Sequence, residues 1–362
     1  MRCEIIEFFR YYGKDGTSCE VIVKDWGGLI RQARGANLLA RIAYLLKERD
    51  EFYLVPEKPR LHLSNALKIF EANIRSVNWE LKDITNVLND AGVPFVLLKG
   101  AAYIVSSCAA AKGRVFGDID ILVSKDLIDK AEVALVHNGW ITSSLDAYEQ
   151  KYYRTWMHEI PPLRNLKRQS VLDVHHTIIP PTSILKPDAK KLWHNLNAVN
   201  LKETCYTLSL MDMILHSATH LFYGGEFENG FRDLTDLDML FNQFDEQHEC
   251  WETFVGRARE LQLELPLYYA VRYTNKMLYT PIPDKVFMML KSYEPNYLMR
   301  KIYDFLYLNA LMPNHTSDES IYIGVSRWML YVRSHWLKMP LYLLVPHLSR
   351  KAWMRLTGKE TH

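Results

Sequence analysis

Between Val93 and Val123 the chain reads as strand, glycine turn, helix and strand, and the second strand carries two aspartates two residues apart. The apolar run Pro94–Leu98 has the length of a buried strand and is followed at once by Lys99-Gly100. The small residues of Ala101–Ala111 are enough for about three helical turns. After the basic turn Lys112-Gly113-Arg114, Gly117-Asp118-Ile119-Asp120 leads into Ile121-Leu122-Val123. Residues two apart on a strand share a face, so Asp118 and Asp120 project together while Ile119 and Ile121 pack on the other side. Two carboxylates held this way repel, and a bound cation is the natural means of keeping both ionised. An all-oxygen pair with no thiolate nearby suits magnesium or manganese, not zinc. An Asp-x-Asp pair alone is common in turns and solvated strand edges; the strand, glycine and helix upstream are what point to a site. Arg114 reads either as a phosphate contact or as a structural ion-pair partner.

The fuller strings, Leu97–Gly100 (LLKG) and Arg114–Val123 (RVFGDIDILV), resemble the bacterial uncharacterised nucleotidyltransferases of the polymerase-beta-like superfamily. The resemblance implies that Asp118 and Asp120 hold two magnesium ions, which clamp an NTP and activate an attacking hydroxyl. It implies a third carboxylate from a later strand, matched here by Asp173 in Ser170–Ile178 (SVLDVHHTI), with His175 as the histidine that follows it. The superfamily's usual Gly-Ser at the turn is Gly100-Ala101 in this chain, which leaves phosphate contact there to backbone N–H groups aided by Lys99. The implied nucleotide-binding set is Lys99, Gly100, Ala101, Arg114 and Gly117. The likeness covers roughly Asn65–Ile178 well and the later helices loosely.

At 362 residues the chain is long enough for two or three subdomains with substantial cores. A net charge of +2 gives no global footprint of a nucleic-acid binder. Cys3, Cys19, Cys108, Cys205 and Cys250 are scattered, odd in number and without CxxC spacing, which argues for reduced thiols in a cytoplasmic protein. Met1–Tyr11 is too charged for a signal peptide, and no apolar run approaches a membrane span.

Upstream, Met1–Asp25 is left unassigned with Cys19–Val23 a candidate short strand, Leu29–Arg49 reads as one amphipathic helix, and Val55–Arg60 as a proline-bearing linker. Ser64–Ala91 is expected as a long helix capped by Ser64, its apolar stripe running from Leu67 and Phe70 to Leu88. Downstream, Leu127–Asn138 reads as a helix and Trp140–Ser144 as the start of a strand. Tyr152–Ile160 alternates loosely and reads as sheet, with Asn165–Gln169 as the hairpin turn into the Asp173 strand. That pairing brings His158 and Glu159 near Asp173, with only one of them aimed at the metals. His158 is the substrate-side candidate, against its reading as a structural histidine.

From Ser209 the pattern turns helical. His216 and His220 lie one turn apart in Met211–Tyr223, without the third ligand a zinc site needs. In the resembled family a His-rich helix and an Arg/Asp helix form the second cleft wall, which implies base, ribose or acceptor contacts for His220, Arg232 and Asp236. Alternatively Arg232 and Asp236, spaced i,i+4, form a helix-surface ion pair. Trp251–Leu263, Leu267–Tyr279, Asp284–Tyr293 and Tyr297–Leu311 continue as helices, with Pro266 between the first two and a polar loop at 314–319. The basic and aromatic tail Ile321–Leu356, divided by Pro340 and Pro346, reads either as core with a solvated face or as a weak contact with an anionic membrane.

The expected class is therefore α+β: a small mixed β-sheet core with flanking helices, plus a C-terminal all-helical domain. The boundaries are 1–60 for a helical extension, 61–200 for the core and 201–362 for the helical domain. The implied reaction is metal-dependent transfer of an NMP group from an NTP to a small hydroxyl or phosphate acceptor. Two rivals stand beside it, a toxin-like transferase modifying tRNA or protein and a non-catalytic nucleotide sensor.

Overall fold

The computed structural model describes residues 3–12, 16–142, 147–199, 204–313, 321–340, 342–344 and 350. Four helices open the chain: α1 (Glu4–Tyr11), α2 (Cys19–Ile22), α3 (Trp26–Gly35) and α4 (Leu39–Glu48). The strand expected at Cys19–Val23 is instead a helical turn. Ser18 caps it by accepting from the Glu20 N–H, and the Cys19 N–H donates to the Glu51 carboxylate at 2.8 Å. The single helix expected over Leu29–Arg49 is two, because Asn37 takes a left-handed φ of 55° and closes α3. Helix α5 (Glu57–Asp90) starts earlier than expected and takes in the linker. Pro56 flanks it and Pro59 falls in its first turn, where no backbone donor is needed, so Ser64 lies inside the helix. Its buried stripe includes Leu67, Val77, Leu81, Ile84 and Leu88.

The core follows with β1 (Phe95–Leu97), α6 (Lys99–Val105), β2 (Asp118–Val123), α7 (Ile128–His137), β3 (Trp140–Thr142), α8 (Ala147–Trp156), β4 (Leu163–Asn165), β5 (Val171–His175), α9 (Ala189–Leu192), β6 (Leu196–Ala198) and β7 (Cys205–Leu208). The strands form one mixed sheet in the order β3-β4-β5-β2-β1-β7-β6. Parallel pairs join β2 to β5 and β1 to β7, and the other neighbours are antiparallel. Helix α6 is shorter than the small-residue run, because Ser107 is left-handed (φ 51°) and a 3-10 turn, Ala109–Ala111, replaces the last helical turns. The sheet expected over Tyr152–Ile160 is mostly helix α8. Tyr148, Tyr152 and Trp156 recur at helical spacing and their rings meet, with Tyr148 and Tyr152 stacked 6.4 Å apart. Only the end of that segment joins the sheet, through a single Glu159–His175 bridge and the Ile160 N–H to the Val174 carbonyl.

The C-terminal region is helical: α10 (Leu210–Gly224), α11 (Gly230–Glu246), α12 (Trp251–Glu260), α13 (Glu264–Leu278), α14 (Asp284–Met289), α15 (Tyr297–Ala310) and α16 (Ile321–Lys338). Pro266 sits in the first turn of α13 instead of between helices, the position where proline costs no hydrogen bond. The loop expected at 314–319 lies outside the described residues. Arg327, Arg333 and Lys338 of α16 turn inward. Arg327 donates to the Ala310 and Met312 carbonyls, Arg333 lies over the rings of Tyr223, Tyr269, Tyr303 and Tyr307, and Lys338 donates to the Gly224 carbonyl. Ile321, Tyr322, Val325, Trp328, Val332 and Trp336 face outward. No described helix is long and apolar enough to cross a membrane. One hydrophobic cluster runs from Phe8 in α1 through Val96 and Ile121 in the sheet to Leu237 and Tyr273 in the C-terminal helices.

Candidate functional site

The site begins with the parallel register of β2 and β5. Asp118 lies opposite Val171, Asp120 opposite Asp173, and Leu122 opposite His175. Paired residues of parallel strands share a face, so Asp118, Asp120, Asp173 and His175 project together, as the sequence spacing predicts for the acids. Ile119, Ile121, Leu172 and Val174 pack on the opposite face and are buried.

The acids have different surroundings. Asp118 is exposed at the strand end, while Asp120 is buried. Asp120 Oδ1 accepts from Lys99 Nζ at 2.7 Å and lies 3.1 Å from His175 Nε2. Burial alone would push the Asp120 carboxyl up, but the Lys99 ammonium and the His175 ring outweigh it and hold it well below the usual carboxylate range. Asp173 has no such partner: its Oδ1 is buried and without a hydrogen bond among the described residues. Burial, then the charges of Asp120 and Glu159, push its carboxyl up to about 7. Lys99 opens α6 with a left-handed φ of 42°, and that conformation turns its ammonium back onto the acids.

Facing the acids is a cleft of about 950 Å³ between the sheet and helices α10, α11 and α16. Lys99, Gly100, Arg114, Gly117, Asp118 and Asp120 line one wall. His220, Arg232, Asp233 and Asp236 line the other, with Trp328 and Tyr331 at its edge. Gly100 is required by close approach: a Cβ there would stand 2.0 Å from the Phe116 ring and 2.8 Å from the Arg114 guanidinium. Ala101 is buried behind the wall. His220 is held neutral first by the Lys99 ammonium and then by burial.

Arg232 and Asp236 do not form the expected surface pair. Arg232 bonds Asp233 at 2.9 Å, and Asp236 is buried between two other arginines. Arg114 Nε donates to Asp236 Oδ2 at 2.7 Å, and Arg41 lies 2.7 Å from Asp236 Oδ1. Arg41, from α4, is fully buried and also donates to Thr235 Oγ1 (2.7 Å) and to the Ala110 (2.6 Å) and Lys112 (3.2 Å) carbonyls. The backbone of Arg41 packs so closely on Gly113 that a Cβ there would come within 2.3 Å. Sequence reasoning missed Arg41. Its only signal was an arginine at core spacing between Leu38 and Leu45.

His158 does reach the Asp173 strand, although not through a hairpin. Its ring lies 5.1 Å from that of His175. Glu159 also turns this way, its Oε2 being 3.5 Å from His175 Nδ1 and 3.9 Å from His158 Nε2. The parity rule admits only one of the pair, but it fails here because the backbone is extended for only a single bridge. His216 is buried in α10, where burial pushes its ring down to about 3, and it stays apart from this cluster.

A family model described as "Uncharacterised nucleotidyltransferase" matches residues 23–279, well over half of the chain and including every residue of the acid face and both cleft helices α10 and α11. No curated protein and no solved structure matches the chain.

Proposed function

Because the chain belongs to the uncharacterised nucleotidyltransferase family, we propose that it moves a nucleoside monophosphate from an NTP to a hydroxyl or phosphate group of a small acceptor. The observation that carries this reading is the set of Asp118, Asp120 and Asp173 on one face of adjacent parallel strands, with Asp118 and Asp120 lining the cleft. The donor set fits magnesium or manganese: three carboxylates, with Asp173 Oδ1 buried and lacking a hydrogen bond among the described residues. Asp118, Asp120 and Asp173 would hold two such ions, which when bound neutralise the triphosphate and acidify the attacking hydroxyl.

In the reaction the acceptor oxygen bonds to the α-phosphorus as the bond to the bridging oxygen breaks, and pyrophosphate leaves with that electron pair. Asp173, on the same face beside Asp120, would complete the acceptor-side ion and help deprotonate the attacking hydroxyl. Lys99, Arg114 and Arg232 bring positive charge to the cleft wall and orient the phosphates. Arg114 is a positioned group, fixed by Asp236 before any ligand arrives. The cleft volume of about 950 Å³ is at the upper end of the roughly 300–1,000 Å³ of small-ligand sites, which supports an NTP with a small acceptor over a macromolecule.

The test is magnesium-dependent pyrophosphate release from each of the four NTPs, with cell extract supplying acceptors and Asp118→Asn assayed alongside. Turnover of at least one NTP, lost in the variant, is expected. Turnover equal in both proteins would remove the acids from the mechanism. Tight NTP binding with no turnover would favour a sensor.

A further inference from the structure

Next to the acid face lies a second donor cluster, made by His158, Glu159 and His175. One donor atom from each lies within 4.8 Å of the other two. His158 and Glu159 stand on the segment between α8 and β4, and His175 ends β5. The backbone fixes the three together: the His176 N–H donates to the His158 carbonyl at 2.9 Å, and Glu159 bridges His175.

His175 stands between two carboxylates, those of Asp120 and Glu159. Asp120 Oδ1 already accepts from Lys99, so an ionised carboxylate faces His175 Nε2 at 3.1 Å and that nitrogen donates. Nδ1 is left pointing at Glu159, yet it is buried and makes no hydrogen bond among the described residues. The observed separation is 3.5 Å. Two ligands of one tetrahedral ion with bonds of about 2.0–2.2 Å stand roughly 3.3–3.5 Å apart, which matches. His158 Nε2, 3.9 Å from the same oxygen, needs to move only a few tenths of an ångström toward that geometry.

We propose that His158, Glu159 and His175 form a binding site for a divalent transition ion of the zinc class, separate from the carboxylate site on the cleft floor. Two imidazoles and a carboxylate are ligands that zinc or cobalt takes and magnesium does not. The Asp120–His175 hydrogen bond supplies the carboxylate–histidine–metal arrangement that orients a ligating ring. The ion would pin the segment after α8 onto the strand that carries Asp173. It would thus act as a positioning element, distinct from the reacting groups.

The experiment titrates the full-length protein, stripped by chelator, with Co²⁺ in the presence of excess Mg²⁺ and without NTP. One equivalent is expected to give the visible absorption of low-coordinate cobalt, displaced by one equivalent of Zn²⁺. Losing a ligand should weaken binding by more than the roughly 10–100-fold typical of losing an outer hydrogen-bond partner, in both His158→Ala and the gentler Glu159→Gln. Asp118→Asn, which removes turnover under the function proposed above, should leave the cobalt spectrum unchanged. No tight cobalt binding, or binding that both ligand variants retain, would overturn the site. A spectrum lost with Asp118→Asn would assign the ion to the cleft floor and would overturn it equally.

Discussion

Replacing Arg41 by methionine keeps an unbranched apolar stem and removes the guanidinium with every polar contact it makes. In the folded protein Arg41 is wholly buried and serves Asp236, Thr235 and the carbonyls of Ala110 and Lys112. Removing one partner of a buried ion pair costs about 3–5 kcal/mol, because the other charge is left unsolvated. Asp236 keeps Arg114 at 2.7 Å, which places Arg41→Met at the low end, about 3 kcal/mol. Unfolding entropy is about 2.1 cal/mol/K per residue, so 362 residues give about 0.8 kcal/mol/K and a melting-point drop of about 4 °C. Scanning calorimetry reads this directly. Pyrophosphate release should show a second effect, a raised KM for the NTP, because Arg114 and the turn around Gly113 lose their anchor. Arg41→Lys keeps the charge without the planar fork and should fall between the two. A melting point within 1 °C of wild type for Arg41→Met would refute the account of a buried three-residue clamp.

Under the proposed function a divalent ion would compete with Lys99 for Asp120 Oδ1, so Lys99→Ala should bind Mg²⁺ several-fold more tightly without NTP, by calorimetric titration, while turnover falls. Unchanged or weaker Mg²⁺ binding would mean that the ammonium and the ion do not share that oxygen. The outward apolar stripe of α16, with the basic residues Arg350, Lys351 and Arg355 beyond it, is expected to hold the protein on anionic vesicles in a sedimentation assay. The double variant Trp328→Ser/Trp336→Ser should release it, and absence of wild-type binding would leave the tail as core with a solvated face.

The acid face was legible because its signal is local. Asp118 and Asp120 need only strand parity, and Val171–His175 repeats the same alternation around Asp173. The resemblance supplied what parity cannot, namely that the two segments become neighbours. Helix α8 was misread because Tyr152-Tyr153 and Trp156-Met157 suit a loose alternation as well as a helical stripe, and nothing in a short aromatic run decides between them. Strands β6 and β7 escaped notice because each is only three or four residues long. The Arg41–Asp236–Arg114 clamp joins residues from three distant segments, and charge pairing carries no sequence period. The inward turn of Arg327, Arg333 and Lys338 was hidden for the same reason, since a basic residue with an aromatic cage or a helix end to serve looks like a surface base in one dimension.

The connectivity also sets the time at which this protein becomes competent. All of the acids have been translated by residue 175, but β1 waits for β7 at residues 205–207 to fill its second edge. Arg41 waits 194 residues for Thr235, and Arg10 waits 267 residues for the Met277 carbonyl. At about 5–20 residues per second, roughly 15–60 s separate the start of synthesis from the first moment at which the cleft can close. From residue 175 until β7 arrives the nascent chain carries a complete set of acids beside an open strand edge, a state exposed to mispairing and to chaperones. A polypeptide released near residue 200 would hold the whole acid face and no enclosed cleft, so quality control and not loss of the acids would decide its fate.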